Sequence, residues 1–445
     1  MLKSTEPRNQ NTLFYTLEEQ LNFRHPLYKL ANKINWELFE KEFSPLYHST
    51  KGRPAKPIRL MVGLLILKHL RNISDESVVL QWSENAYYQY FCGEIVFIPD
   101  FPCNSSELVH FRKRIGESGI ELILKESIRV NDDDDKSNGG NGKGDEVAFI
   151  DSSVQEKNIT FPTDAKLHRK IIDRCHKIIK KENLPMRQSY KRELKELALA
   201  QRFRNHPKNG AKARKADKRV KTIAGRLVRE LDRNLPSESV YLQELELFYQ
   251  ILAQTKYSKD KIYSLHEPEV RCISKGKEHK KYEFGNKVSI IRSKRGVILG
   301  AKSFRNEYDG HTVESSLEQV EELTGKLPKT LAGDRGYRGV KTVKGVKIII
   351  PDAGKKSDTR YQKDKNRKLF RKRAGIEPTI GHLKSDYRLG RNFYKGVVGD
   401  AVNLMLAAAA YNFKRAMNVL LSYILLRIIR IVYINLSDHK KLAVG

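Results

Sequence analysis

Cysteine is scarce in this chain: Cys92, Cys103, Cys175 and Cys272 are the only four among 445 residues, and no two form a C-x-x-C pair. That spacing argues against a disulfide framework and a zinc knuckle, and it fits a reducing cytosol. The opening MLKSTEPRNQNTLFYTLEEQ contains no apolar h-region, so no secretion signal is expected. There is no internal repeat. One long apolar run stands out, MNVLLSYILLRIIRIVYINL from Met417 to Leu436, and Arg427 and Arg430 interrupt it near the middle. A packed or self-associating terminal helix over 416–445 is expected there rather than a membrane span. Acids are also few, 53 Asp plus Glu against 84 Lys plus Arg, for a net charge of +31. Such a surplus calls for an anionic partner, and nucleic acid is the first candidate. The 39% hydrophobic and 31% charged content excludes general disorder, and the length allows two or three domains.

Composition divides the chain. Residues 25 to 127 read as helical: in KPIRLMVGLLILKHLRN, Pro57 suits a first turn, Leu60, Leu64 and Leu67 recur at helical spacing, and the helix should end near Asn72. Ser74 can cap DESVVLQWSEN, and Asn104 with Glu107 can cap LVHFRKRIG. Such helices suit a helix-turn-helix or an ordinary bundle equally. The run NDDDDKSNGGNGKGDE, 131–146, has no apolar residue and reads as a flexible linker. EVAFIDSSVQEKNITF then begins with a strand-length apolar run ending at Asp151. Residues 165–255 turn helical and basic; 165–235 alone hold 23 bases against 7 acids, a density that favours nucleic-acid contact over a merely solvated face. Strands return in VRCISKG and in NKVSIIRSKRGVILGAKSF, a hairpin turning at SKRG. A helix follows in GHTVESSLEQVEELTG, then short strands in KTLAGDRGY and VKIIIPD, then helix from Asp364 to Asp386. The expected class is α/β with a long helical insertion.

Asp151 and Asp334 both follow apolar strand-like runs, and they project from one end of a sheet if those strands are neighbours. Glu377 would join them from a helix. Three converging carboxylates are hard oxygen ligands suited to Mg²⁺, with Mn²⁺ as a substitute. Taken singly, a strand-end Asp more often caps a turn and a helical Glu more often pairs with a base. The surroundings of Glu377 shift that balance. KLFRKRAGIEPTIGHLKSDYRLGRN, 368–392, holds seven bases and two acids. Arg373 and Lys384 fall on the helix face of Glu377, and Pro378 should kink the helix or start it afresh. One salt bridge does not account for Arg371, Lys372, Arg388 and Arg391 as well; a bound DNA backbone does.

The spacing R-(3)-E-(6)-K at Arg373, Glu377 and Lys384, with DRGYRG at Asp334 and FIDSSVQEKNITFPTDA at Asp151, resembles bacterial insertion-sequence transposases of the DDE type. The similarity is to the insertion-sequence-five branch of the insertion-sequence-four clan. LHEPEVRCISKGKEHKKYEFGNKVSI and RHPLYKLANKINWELFEKEF extend it from about residue 25 to about 415. The resemblance implies a ribonuclease-H-like catalytic core over 147–415 with a basic helical insertion at about 165–255. An all-α DNA-binding domain over 1–130 would precede it and read terminal inverted repeats. It further implies Asp151, Asp334 and Glu377 as catalytic metal ligands, with Arg373, Lys384, Arg388 and Lys372 contacting DNA. The family's longer pattern has a Tyr where this chain has Phe370, which removes a hydroxyl able to bond a phosphate. Expected partners are double-stranded DNA, at the element ends and target, and a second copy in a homodimeric or larger synaptic complex. No membrane is expected, and the setting is cytoplasmic, at the nucleoid. The rival readings are a catalytically idle or domesticated DNA-binding protein and a nuclease on the same fold.

Overall fold

The computed structural model describes residues 15–48, 54–137, 146–255, 257–274, 281–351 and 359–442, with 133–137 and 420–442 as backbone. The chain forms two compact units. The first comprises 1–155, 287–394 and 398–445, and the second 156–286 with 395–397.

Short helices open the first unit: Leu17–Gln20, Pro26–Lys33 and Trp36–Phe43 precede Ile58–Leu70, Asp75–Glu84 and Ala86–Phe91. The sequence sets their ends. Ser74 Oγ accepts from the Ser77 amide at 3.1 Å, and Asn72, just past Leu70, takes φ +56°. Every residue of Ile58–Leu70 except Arg59 is buried, so this helix has no solvent face and forms the centre of its neighbourhood. Its successor Asp75–Glu84 carries three acids and no base, a poor match to a phosphate backbone.

Helix Ser105–Ser137 bends at Gly116 (φ +62°) and continues into the acidic run. The expected flexible linker therefore does not begin at 131; residues 138–145 of it lie outside the described residues. Packing is the reason. The Asn131 amide is buried and donates to the carbonyls of Ser127 at 2.9 Å and Asn412 at 3.0 Å, which fixes the helix just before its acids.

Seven strands follow: β1 Val147–Glu156, β2 Arg271–Ile273, β3 Glu283–Ser293, β4 Ile298–Phe304, β5 Thr330–Ala332, β6 Thr342–Val343 and β7 Val346–Ile349. The sheet runs β2-β3-β1-β5-β7-β6, with β4 also on β3. β1, β5 and β7 are parallel, whereas the β3–β4 hairpin and the β6–β7 pair are antiparallel. Asp151 was expected at the end of its strand; it lies in the middle, because β1 continues to Glu156 past the end of its β5 pairing. The strand apolars Phe149, Ile150, Ile290 and Leu331 share one continuous core with Leu64, Leu65 and Trp82 of the helical region. Helix Gly396–Leu442 adds Leu404 to Ala410 and Phe413 to that core. Among the described residues no helix is long and apolar enough to cross a membrane.

In the second unit, helices Asp164–Lys181, Lys191–Ala200, Gly210–Asn234 and Leu242–Ala253 enclose a separate core around Ile171, Ile172, Val220, Ile223, Leu227 and Phe248. Some bases there are neutralised locally, as in Arg174–Glu244, Arg204–Asp217 and Arg219–Glu193.

One buried group of the first unit makes stability depend on pH. His69 is fully buried, with its ring nitrogens 3.3 Å from the Leu65 carbonyl and 3.4 Å from Asn403 Oδ1. Burial, aided by Lys68, pushes its pKa from 6.5 down to about 3. The unfolded chain thus takes up this proton first, so the stability His69 contributes is complete above pH 6.5 and is lost as pH falls toward 3. Urea unfolding should show a loss of up to about 1.4 kcal/mol per pH unit from this group. His69→Gln should flatten that part of the profile; an unaltered slope would remove His69 from the account.

Candidate active site

Strand register brings the first two acids together. β1 and β5 are parallel, and Asp151 and Asp334 each lie two residues past their last pair, Phe149 opposite Ala332; both acids also act electrostatically on the buried Tyr337 phenol. Their local bonds differ. Asp334 caps the short 3₁₀ turn Arg335–Tyr337, its Oδ1 accepting from the Gly336 amide at 2.8 Å. Asp151 Oδ1 accepts from the Ser152 amide at 2.8 Å, and its Oδ2 accepts from Arg373 Nη2 at 3.0 Å.

Arg373 closes helix Arg360–Arg373, and a new helix, Ile376–Asp386, starts beyond Gly375. Pro378 lies in the first turn of that second helix, where its missing N–H costs no helical bond, so the chain starts afresh rather than kinking. Ile376 and Leu383, both fully buried, anchor the new helix. Glu377 remains exposed, with Oε1 3.6 Å from Arg373 Nη1. The Arg373 side chain is only 13% exposed, and its Nε is buried without a hydrogen-bond partner. One guanidinium thus stands between two of the three acids expected to hold a metal, Asp151 and Glu377, and it is largely buried.

A fourth acid escaped the reading of the sequence. Asp309 follows β4 in EYDGHT and is 19% exposed. Lys287 Nζ, on β3, lies 3.2 Å from its Oδ1 and also donates to the Glu307 carbonyl at 2.6 Å. The signal that singled out Asp151 and Asp334, an acid directly after an apolar run, does not reach Asp309, since β4 ends at Phe304 and Glu307 stands between. Beneath these groups Tyr337 is fully buried. Burial first, then Asp309, Asp151 and Asp334, hold its phenol well above the ordinary tyrosine range.

The donor set is all carboxylate oxygen, the chemistry a hard divalent cation requires. Among the described residues, however, no three His, Cys, Asp or Glu side chains are gathered closely enough to hold a metal ion. Arg373 places a positive charge between Asp151 and Glu377.

The predicted DNA-facing bases are unequal. Lys372 is exposed, Lys384 is half-buried, and Arg388 adopts φ +67° with its guanidinium 5.7 Å from the Phe393 ring centroid. Helix Arg360–Arg373 buries no residue and carries eight bases against one acid. Its first part, from Arg360 to Arg367, adds bases ahead of the stretch 368–392.

Residues 15–114 match the family model described as Transposase domain (DUF772), and residues 256–413 match the one described as Transposase DDE domain. The second span contains Asp309, Asp334, Arg373, Glu377 and Lys384. A relative named as an uncharacterized protein, ORF8 in the nfe locus, from Rhizobium meliloti is 37% identical over 209 residues, 46% of this chain and 98% of that protein. No solved structure matches the chain.

Proposed function

Since the chain belongs to the DDE transposase family, we propose that it binds the terminal inverted repeats of an insertion sequence, cleaves at the element ends and joins the 3′ ends to target DNA. The observation that carries this reading is the placement of remote acids, Asp151 beside Asp334 by strand register and Asp151 with Glu377 around one guanidinium. The sheet order, with a β-hairpin beside three parallel strands, supports a ribonuclease-H-like core.

In this reading Asp151, Asp334 and Glu377 hold divalent cations, Mg²⁺ or Mn²⁺ in its place. Such ions, when bound, activate an attacking water or hydroxyl and stabilise the leaving oxygen. The chain's own residues set the stage. Asp334 is oriented by its bond from the Gly336 amide, and Arg373 orients Asp151 until the ion and DNA phosphates are present. Lys372, Lys384 and Arg388 lie along the path of the transferred strand, and the basic helices of the second unit add affinity without sequence information. Base contacts from the N-terminal helices supply end recognition, and a second copy completes a synaptic complex.

The test incubates the full chain with Mg²⁺ and DNA carrying the ends of the element that encodes it. Nicked and joined products together support the proposal. Nicks alone would make the protein a nuclease, and binding without either product an idle DNA-binding protein. A companion measurement separates the bases. Lys372→Gln and Lys384→Gln should each make the dependence of binding on salt shallower, by about 0.9 in log–log slope for every phosphate no longer neutralised. Arg373→Gln should change that slope less and the divalent-ion requirement more, because its guanidinium is engaged with Asp151 and Glu377. The reverse pattern would make Arg373 a phosphate clamp.

A further inference from the structure

Gly336 has an unusual reason to lack a side chain. A Cβ there would stand 2.8 Å from Asp309 Oδ2 and 2.9 Å from Asp334 Oδ1, closer than real Cβ contacts allow. Its backbone is not in the left-handed region, so conformation does not require glycine. What requires it is the approach of two carboxylate oxygens to one point from different elements: Asp309 from the turn after β4, and Asp334 from the end of β5. Two carboxylate oxygens that face one point can share a cation, and Lys287 Nζ, 3.2 Å from Asp309 Oδ1, is not itself placed at that point.

Two further observations point into the same space. The Tyr337 hydroxyl, on a fully buried side chain, has no partner in hydrogen-bonding geometry although Asp309, Asp151 and Asp334 all act on it electrostatically. The Ser289 hydroxyl, which accepts from Ser316 at 3.1 Å, also acts on that phenol but falls short of hydrogen-bonding geometry with it. Asp309 Oδ1 is buried without a hydrogen-bond partner, with Lys287 Nζ 3.2 Å away, while its Oδ2 faces the gap over Gly336.

We propose that Asp309 is a fourth carboxylate of the catalytic centre, which together with Asp334 holds a divalent cation in the gap above Gly336. Lys287 is a positioning residue that presents Asp309 Oδ2 to that gap. The inference rests on the proposed transposase reading and adds a ligand to its acids. It also gives a role to an acid that pairs with a buried lysine and would otherwise read as structural.

The experiment measures Mn²⁺ binding to the full chain without DNA, by the electron paramagnetic resonance of free Mn²⁺, together with thermal unfolding with and without the ion. Asp309→Asn keeps the shape and removes the charge; Gly336→Ala keeps every acid and places a methyl in the gap. Each is expected to weaken Mn²⁺ binding at least about tenfold and to shrink the thermal shift that Mn²⁺ produces. Glu314→Gln, an exposed acid on the next helix, serves as control and should bind as the unaltered chain does. Should Asp309→Asn fail to fold, Gly336→Ala decides the matter. Unchanged Mn²⁺ affinity in both variants, or in Gly336→Ala where only it folds, overturns the role of Asp309. If Asp334→Asn and Asp151→Asn also bind Mn²⁺ normally, the metal-site reading itself fails. If those two lose the ion while Asp309→Asn and Gly336→Ala keep it, only the inference about Asp309 is lost.

Discussion

Asn at 151 or 334, or Gln at 377, is expected to lower cleavage and joining by about a thousandfold or more, equivalent to roughly 4 kcal/mol of barrier, while binding to end DNA stays nearly unchanged. Each amide keeps the volume of the acid it replaces and removes the charge that a divalent ion needs. The three should part company in stability. Asp151 and Arg373 are each 13% exposed and 3.0 Å apart, so Asp151→Asn leaves a largely buried guanidinium without its carboxylate and should cost about 1–3 kcal/mol in urea unfolding. Glu377 is 67% exposed, and Glu377→Gln should unfold like the unaltered chain. A normal cleavage rate in any one of the three under Mg²⁺ removes that residue from the mechanism. Equal stability of Asp151→Asn and the unaltered chain would mean that the Arg373 ion pair contributes nothing to the fold.

The acids proposed as the triad, Asp151, Asp334 and Glu377, each carried a local signal in the sequence, apolar run then acid, or an acid set among bases. What joins them was not. That Asp151 stands beside Asp334 depends on pairing Phe149 with Ala332, a register between strands far apart in sequence that no local periodicity records. The direction of Arg373 was hidden for a similar reason: at helical spacing it belongs with Glu377, yet its strongest bond is to Asp151 on β1. The helices and strands themselves were largely readable, including the hairpin that turns at SKRG and the break near Pro378. The linker was expected to start at 131 because composition describes a segment alone, whereas the helix that runs through Asn131, which bonds to the Asn412 carbonyl, continues to Ser137. In KPIRLMVGLLILKHLRN the helical spacing of Leu60, Leu64 and Leu67 was legible, whereas burial on every side of Ile58–Leu70 depends on the helices packed around it.

Asp75→Ala is expected to be the most destabilising single substitution outside the apolar core. Asp75 opens helix Asp75–Glu84, and its carboxylate accepts from Arg112 Nη1 and Nη2, both at 2.8 Å, and from Lys68 Nζ at 2.9 Å. Lys68 is 3% exposed and Arg112 7%. Both cations also lie over the Tyr394 ring, 4.6 and 4.5 Å from its centroid, and Lys68 donates to the Tyr394 hydroxyl at 2.8 Å. One acid therefore balances two buried bases and ties the helical region to the segment that follows the Glu377 helix. Removing it leaves two like charges buried side by side, which should cost about 3–5 kcal/mol at pH 7. The loss should ease in alkali. Burial already lowers the Lys68 pKa to about 8, and Asp75 is the main influence holding it up, so the variant's lysine will shed its proton at lower pH still. Because its folded pKa lies below the unfolded value, stability rises with pH between the two, and in the variant that window opens earlier. Urea unfolding at pH 7 and pH 9.5 tests both parts. Lys68→Met added to Asp75→Ala should restore part of the loss at pH 7 and remove the alkaline gain. A cost below about 1 kcal/mol for Asp75→Ala would show that the two cations find water or other partners, and that this acid does not hold the helical region to the catalytic one.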